Sequence, residues 1–152
     1  MKRFVFRLQT LLNHRKDVEQ MLLGELAQHR LQEQSELARL DQLVSDRQRS
    51  WDALSHRMHA AEVTGASSWD LANGDEYCKA LGDDIGLQEL TLAAARREVE
   101  AKLAEVVEAA KERKVLEQLC EKQRREHELE AARLEQTQLD EMSSVRFARG
   151  MV

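Results

Sequence analysis

The chain has 152 residues, no proline, six glycines, 34% charged and 4% aromatic side chains, and a formal net charge of -5. So many charges and so few large apolar groups argue against a compact core of an ordinary globular domain, and the missing proline leaves few places where a helix must stop. The negative charge and the lack of base-stacking aromatics argue against nonspecific nucleic-acid binding, which needs a basic footprint on the phosphates.

The first segment, Met1-Lys-Arg-Phe-Val-Phe-Arg-Leu, is basic, but Arg7, Gln9, Asn13 and His14 break any continuous apolar run, so it reads neither as a secretory signal nor as a membrane span. Helix one is predicted over about 3–63. Its first stripe runs Phe4, Leu8, Leu11, Arg15, Val18 and Leu22. A second runs Leu23, Leu26, Arg30, Glu33, Leu37, Leu40, Val44, Arg47, Trp51, Leu54, Met58 and Ala61 in 4-3 spacing. The two are one seam displaced by a residue near Leu22, Leu23 and Gly24, which reads as a local discontinuity of supercoil. Trp51 is expected in that seam as a core aromatic.

Residues 64–75, Thr-Gly-Ala-Ser-Ser-Trp-Asp-Leu-Ala-Asn-Gly-Asp, are the only cluster of glycines and small polar groups and are read as the turn. Ser68 can cap a helical turn starting at Trp69, and Asn73-Gly74 followed by Asp75 supplies a second stop and cap. Folding back here pairs positions whose numbers total roughly 133 to 139. Trp69 reads equally as local packing over the turn or as a binding anchor, and Tyr77 is similar.

Helix two is predicted over about 76–147, with the seam Cys78, Leu81, Ile85, Gln88, Leu92, Ala95, Val99, Lys102, Val106, Ala109, Arg113, Leu116 and Cys120. Gly82 and Gly86 near its start each cost about 1 kcal/mol relative to alanine. They mark either a frayed end beside the turn or a place where another protein approaches the backbone. Beyond Cys120 the register meets Gln123, His127, Glu130, Leu134 and Thr137, so the apolar seam fades and the tail overhangs its partner or packs elsewhere.

The whole is therefore predicted as one domain, residues 1–152, an all-α, long antiparallel two-helix coiled-coil hairpin. Residues 1–16 carry five cations and no acid, whereas residues 62–89 carry seven acids and only Lys79, so the open end is basic and the turn end acidic. Cys78 and Cys120 would lie about 63 Å apart on one helix, which rules out an internal disulfide and makes the cytosol the simplest location.

No phosphate-binding GxxxxGK, no GxSxG and no paired Glu-x-x-His motif occurs. His56 and His59 are spaced i, i+3 but read as surface histidines, not as a metal site. Neither an enzymatic activity nor a cofactor nor a small-molecule substrate is expected.

Both ends of the chain carry a resemblance. Phe4-Val-Phe6-Arg7-Leu8-Gln9-Thr-Leu11-Leu12-Asn-His-Arg15 is similar to the opening of the FliJ family of flagellar export proteins. Lys114-Val-Leu116-Glu117-Gln-Leu119-Cys-Glu121-Lys122 and Glu135-Gln136-Thr-Gln-Leu139-Asp140-Glu141 resemble stretches near that family's other end, and Tyr77, Leu81, Ile85 and Gln88 agree more loosely. At position 127 the family pattern has an aromatic where this chain has histidine.

The resemblance implies a non-enzymatic, stalk-like part of the flagellar type III export apparatus, cytoplasmic and associated with the membrane at the flagellar base. Its implied partners are the hexameric export ATPase, the membrane-embedded export gate and export chaperones. Carried over by position, the ATPase contact falls on Phe4, Phe6, Arg7, Leu8, Leu12, Arg15, Lys114, Glu117, Lys122 and Glu135, and the gate contact on Tyr77, Leu81, Ile85 and Gln88. From the residues alone, two alternatives stay open: a coiled-coil spacer without ATPase coupling, and a peripheral membrane protein held by the basic amphipathic start.

Overall fold

The computed structural model describes residues 3–65 and 68–150. Two α-helices make up nearly all of it, α1 over Gln9–Thr64 and α2 over Ser68–Gly150, and no strand occurs among the described residues. They pack antiparallel, giving the predicted all-α hairpin. Contacts gather into two compact units, Leu22–Glu105 and the pair of segments Met1–Met21 with Val106–Val152. Much of each helix faces solvent, and there side-chain bonds four residues apart support it: Gln32 to Glu36, Gln42 to Asp46, Gln48 to Asp52 and Gln136 to Asp140.

Both predicted helix starts need correction. Residues 3–6 are not helical and Arg7-Leu8 form a turn, with Gln9 N–H donating to the Phe6 carbonyl at 3.1 Å. The cause is the Phe-x-Phe spacing: an extended chain sets residues i and i+2 on one face, so Phe4 and Phe6 can both pack, whereas a helix would set them far apart around its axis. At the turn, α1 ends on Gly65, which has φ +72 and donates its N–H to the Ala61 carbonyl. Helix α2 begins at Ser68, with Asp70 in its first turn facing the positive end of the helix dipole. Asn73-Gly74, expected as a stop, lies inside α2; a Cβ on Gly74 would stand 2.8 Å from Leu54 Cδ1, so the glycine is there for close packing. Ala66 and Ser67 of the expected turn lie outside the described residues.

The shorter connection shifts the register. Partners across the helices total 124 for Gln88 with Glu36, 127 for Lys102 with Glu25, 129 for Arg96 with Glu33 and 132 for Arg113 with Glu19. These values lie below the range expected from a turn at 64–75, whose lower edge is met by Lys16 with Glu117, which total 133.

In Leu22–Glu105, α2 uses the seam read from its sequence: Cys78, Leu81, Ile85, Gln88, Leu92 and Ala95 are buried and Val99 and Lys102 half-buried. Helix α1 does not. Its covered positions include Leu22, Leu26, His29, Glu33, Glu36, Leu40, Leu43, Arg47, Ser50 and Leu54, a 4-3 series, with Glu25, Asp46 and Ala61 half-buried beside it. Leu26, Glu33, Leu40, Arg47, Leu54 and Ala61 belong to the expected stripe, but Leu23, Arg30, Leu37, Val44, Trp51 and Met58 are each one residue too far around and are exposed. Trp51, expected in the core, is 46% exposed.

What selects this register is polar. Gln88, 6% exposed, donates to the Glu36 carbonyl at 3.0 Å and to its carboxylate at 2.6 Å. Lys102 donates to Glu25 at 2.8 Å, Arg96 meets Glu33 and His29 meets Glu98, both at 3.3 Å. Polar groups at a coiled-coil seam fix alignment because any other alignment leaves them unpaired in a desolvated place.

In the unit of Met1–Met21 and Val106–Val152, the covered positions of α1 are Leu12, Arg15, Val18 and Glu19, of which Arg15 and Val18 belong to the expected first stripe. Leu12 packs with a seam formed by Val106, Ala109, Arg113, Leu116 and Cys120 on α2, the first two buried and the rest half-buried. Arg113 bonds Glu19 across the helices and Glu117 on its own helix at 2.6 Å. Beyond Ala131, which is buried, every described residue of α2 from 132 to 150 is exposed.

Candidate functional site

The ten residues expected at the ATPase contact all belong to the unit of Met1–Met21 and Val106–Val152, although they come from opposite parts of the sequence. The fold sorts them by availability. Phe6 and Leu12 are buried, and Phe4 is half-buried with its ring 5.7 Å from that of His127, tilted by 54°. These three anchor the extended start of the chain on α2, and His127 supplies a ring at the position where an aromatic was expected.

Arg7 and Leu8, at the turn that leads into α1, are exposed, and Arg7 has no ion-pair partner among the described residues. Arg15 is held by Glu112 at 2.5 Å. Glu117 accepts from Arg113 and stands 3.8 Å from Lys16, and Lys122 stands 4.0 Å from Glu126. Lys114 and Glu135 are exposed and have no ion pair among the described residues.

Most of the cations expected to make this region basic are thus matched within it: Lys111 with Glu108, Arg124 with Glu121 and Glu128, Arg125 with Glu121. The unit carries fourteen Lys and Arg against twelve Asp and Glu, a net charge of +2. The other unit carries nine against sixteen, a net charge of -7. The excess positive charge sits on a few cations without an ion pair among the described residues, namely Arg3, Arg7, Lys114, Arg133, Arg146 and Arg149. Arg146 and Arg149 were legible in the sequence, since no acid stands three or four residues before either.

Two cations that are paired across the helices titrate high. Hydrogen bonds first to Glu25 and then to Glu105 hold Lys102 above its ordinary pKa, and bonds to Glu19 and then Glu117 do the same for Arg113. Both stay charged, as fixed seam partners and not as proton carriers.

Of the residues expected at the gate contact, only Tyr77 is on the surface, 56% exposed; it lines a groove with Ser50, Ala53, Arg57, Asp70 and Asn73. Leu81, Ile85 and Gln88 are seam residues covered by α1. Their side chains are buried and are not presented to a partner while the helices are paired.

Among the described residues no cluster of three His, Cys, Asp or Glu side chains is placed to hold a metal, and no helix is long and apolar enough to cross a membrane. Cys78 and Cys120 are free thiols, one buried and one half-buried.

Fold and surface together define the class, an α-helical coiled-coil hairpin with charged, mutually paired flanks. Residues 4–151 match the family described as Flagellar FliJ protein, nearly the whole chain, and the chain belongs to that family. It is a component of the flagellar export apparatus, of the structural or chaperone-like kind. No individual curated protein and no solved structure matches it.

Proposed function

We propose that the chain is a non-enzymatic stalk of the export apparatus that works at the cytoplasmic face of the membrane, engaging the hexameric export ATPase with one unit and the export gate with the other. The observation that carries this reading is convergence: the two family-like ends of the sequence come together in one unit, and that unit is the one with net positive charge. Within it, Arg7, Leu8, Lys114 and Glu135 are the surface through which an ATPase ring is met. Arg15, Glu117 and Lys122 border that surface with their charges already engaged. Phe4, Phe6 and Leu12 act indirectly, by fixing the start of the chain.

The gate contact centres on Tyr77 in the acidic unit, and export chaperones are further partners of the same surfaces. Mixing the purified chain with the cognate ATPase, and following hexamer assembly and ATP turnover, tests the first half. Stimulation is expected, and the absence of both a complex and any change in turnover would reject it. Arg7→Glu should weaken the complex more than Arg15→Glu, whose guanidinium is already spent on Glu112, and Arg57→Glu in the other unit should leave it intact. Equal effects of all three would count against a contact confined to one unit.

A further inference from the structure

The segment ahead of α1 covers a part of α2 that α1 does not reach. By the pairs Glu19 with Arg113 and Lys16 with Glu117, Gln9 at the start of α1 comes level with residues no farther along α2 than 123–124. Yet His127 is half-buried and Ala131 is buried. The side chains of α2 itself do not account for this, because Ala101, Ala104 and Ala132 on the same helix are exposed. Seven residues of helix are about 10 Å long, a distance that three or four extended residues span. The extended segment before Gln9 is thus the cover: Phe4 lies on His127, Phe6 is 5% exposed, and Val5 between them, on the opposite side, is 75% exposed.

What holds residues 3–8 down is apolar contact. Among the described residues no hydrogen bond or ion pair joins them to α2, and the bond from Gln9 N–H to the Phe6 carbonyl stays within the segment and its junction with α1. An extended segment also lacks the i to i+4 ladder that ties helical residues to one another. It can therefore leave α2 without unwinding α1 or parting the helices, whose own partners, Arg15 with Glu112 and Glu19 with Arg113, lie outside it. Local opening costs least where buried contacts are few and polar ones are absent.

The closed state also builds the surface of Arg7 and Leu8. Both stand on the turn that Gln9 closes onto Phe6, so their placement depends on Phe6 being docked.

We propose that residues 3–8 are a clasp, which opens and closes on the face of His127 and Ala131 while the helices stay paired, and that a partner at Arg7 and Leu8 locks it shut. The locking rests on the reading that the export ATPase is met there. A partner that binds only the closed state shifts the equilibrium towards it by its difference in affinity for the two.

Thiol labelling of the full chain carrying Ala131→Cys tests this, read by peptide mass spectrometry so that the natural thiols are counted apart. The labelling rate follows the open population when closing is fast. The introduced thiol should react more slowly than one placed by Ala132→Cys, which is exposed, and faster than Cys78, which lies buried in the seam and is reached only when the helices part. Phe4→Ala should raise the rate roughly tenfold, and His127→Phe, whose all-carbon ring suits Phe4 better, should lower it about threefold. Phe6→Ala should bring it to the rate at position 132. Saturating ATPase should slow it by about tenfold. A rate in the free chain equal to that at position 132 or to that of Cys78, or one that Phe4→Ala leaves unchanged, would overturn the clasp. An ATPase that binds and leaves the rate unchanged, or raises it, would overturn the locking. An ATPase that does not bind would reject the ATPase reading and with it the locking, whereas the clasp stands or falls on the rates in the free chain.

Discussion

The two helices meet along seams of unequal character. On α2 the covered positions from Cys78 to Cys120 are apolar except for Gln88, Lys102, Arg113 and Glu117. On α1 the covered positions from Leu12 to Leu54 include Arg15, Glu19, His29, Glu33, Glu36, Arg47 and Ser50, more polar groups than apolar ones. Apolar content therefore decides that these helices pair, while alignment is decided by cross-helix polar contacts: Glu19 with Arg113, Glu25 with Lys102, Glu36 with Gln88. Burial supplies an undirected attraction proportional to area, and hydrogen bonds supply the directional requirement that a helix with two candidate stripes lacks.

That contrast can be broken first at the apolar positions. Leu26→Ala should cost about 2–5 kcal/mol, since Leu26 is buried in the seam, whereas Trp51→Ala, a larger truncation on the exposed stripe, should change the stability of the monomer by less than about 1 kcal/mol. Urea unfolding followed by circular dichroism compares the two, and a costlier Trp51→Ala would mean that α1 packs on its other side. The polar side of the comparison is sharpened by Gln88→Leu. It removes both bonds to Glu36 and should cost about 1–2 kcal/mol despite adding apolar surface, measurable in the same titration.

At the turn, Gly65→Ala should cost about 1 kcal/mol, because alanine pays for the positive φ that ends α1; a differential scanning calorimetry trace of the variant would show the lowered midpoint. The smallest effect near neutrality concerns pH. Lys102 titrates above its ordinary range when folded, so its stabilising contribution is complete below the unfolded pKa and is lost as pH rises through the raised one. Stability measured across the alkaline range should fall less steeply in Lys102→Met than in the parent chain.

Much of the fold was legible because α2 offers a single apolar stripe, which names its own buried face. Helix α1 offers two, sharing Leu26, Leu40 and Leu54, and counting apolar residues selects the one that stays outside. Choosing correctly needs the partners of Glu36 and Glu25, which become known only once the register is known. Asn73-Gly74 read as a stop because local chemistry cannot reveal that Leu54 comes within reach of Gly74. The Phe4-x-Phe6 spacing did carry a signal for an extended start, period two where period 3.6 was expected. For the candidate site, the heptad pattern of α2 already set Leu81, Ile85 and Gln88 in the seam and Tyr77 off it, but the family-like motif at the start did not separate Arg7, which faces solvent, from Phe6, which does not.

The polar seam also bears on how the hairpin carries load. Sliding α2 by one heptad against α1 would set Arg113 against Leu12 or Leu26 and Gln88 against His29 or Leu43. Each such layer would strand a charge or an amide in a desolvated place. Within each unit the two helices therefore resist axial shear at the layer that its polar pair occupies, Glu36 with Gln88 in one and Glu19 with Arg113 in the other.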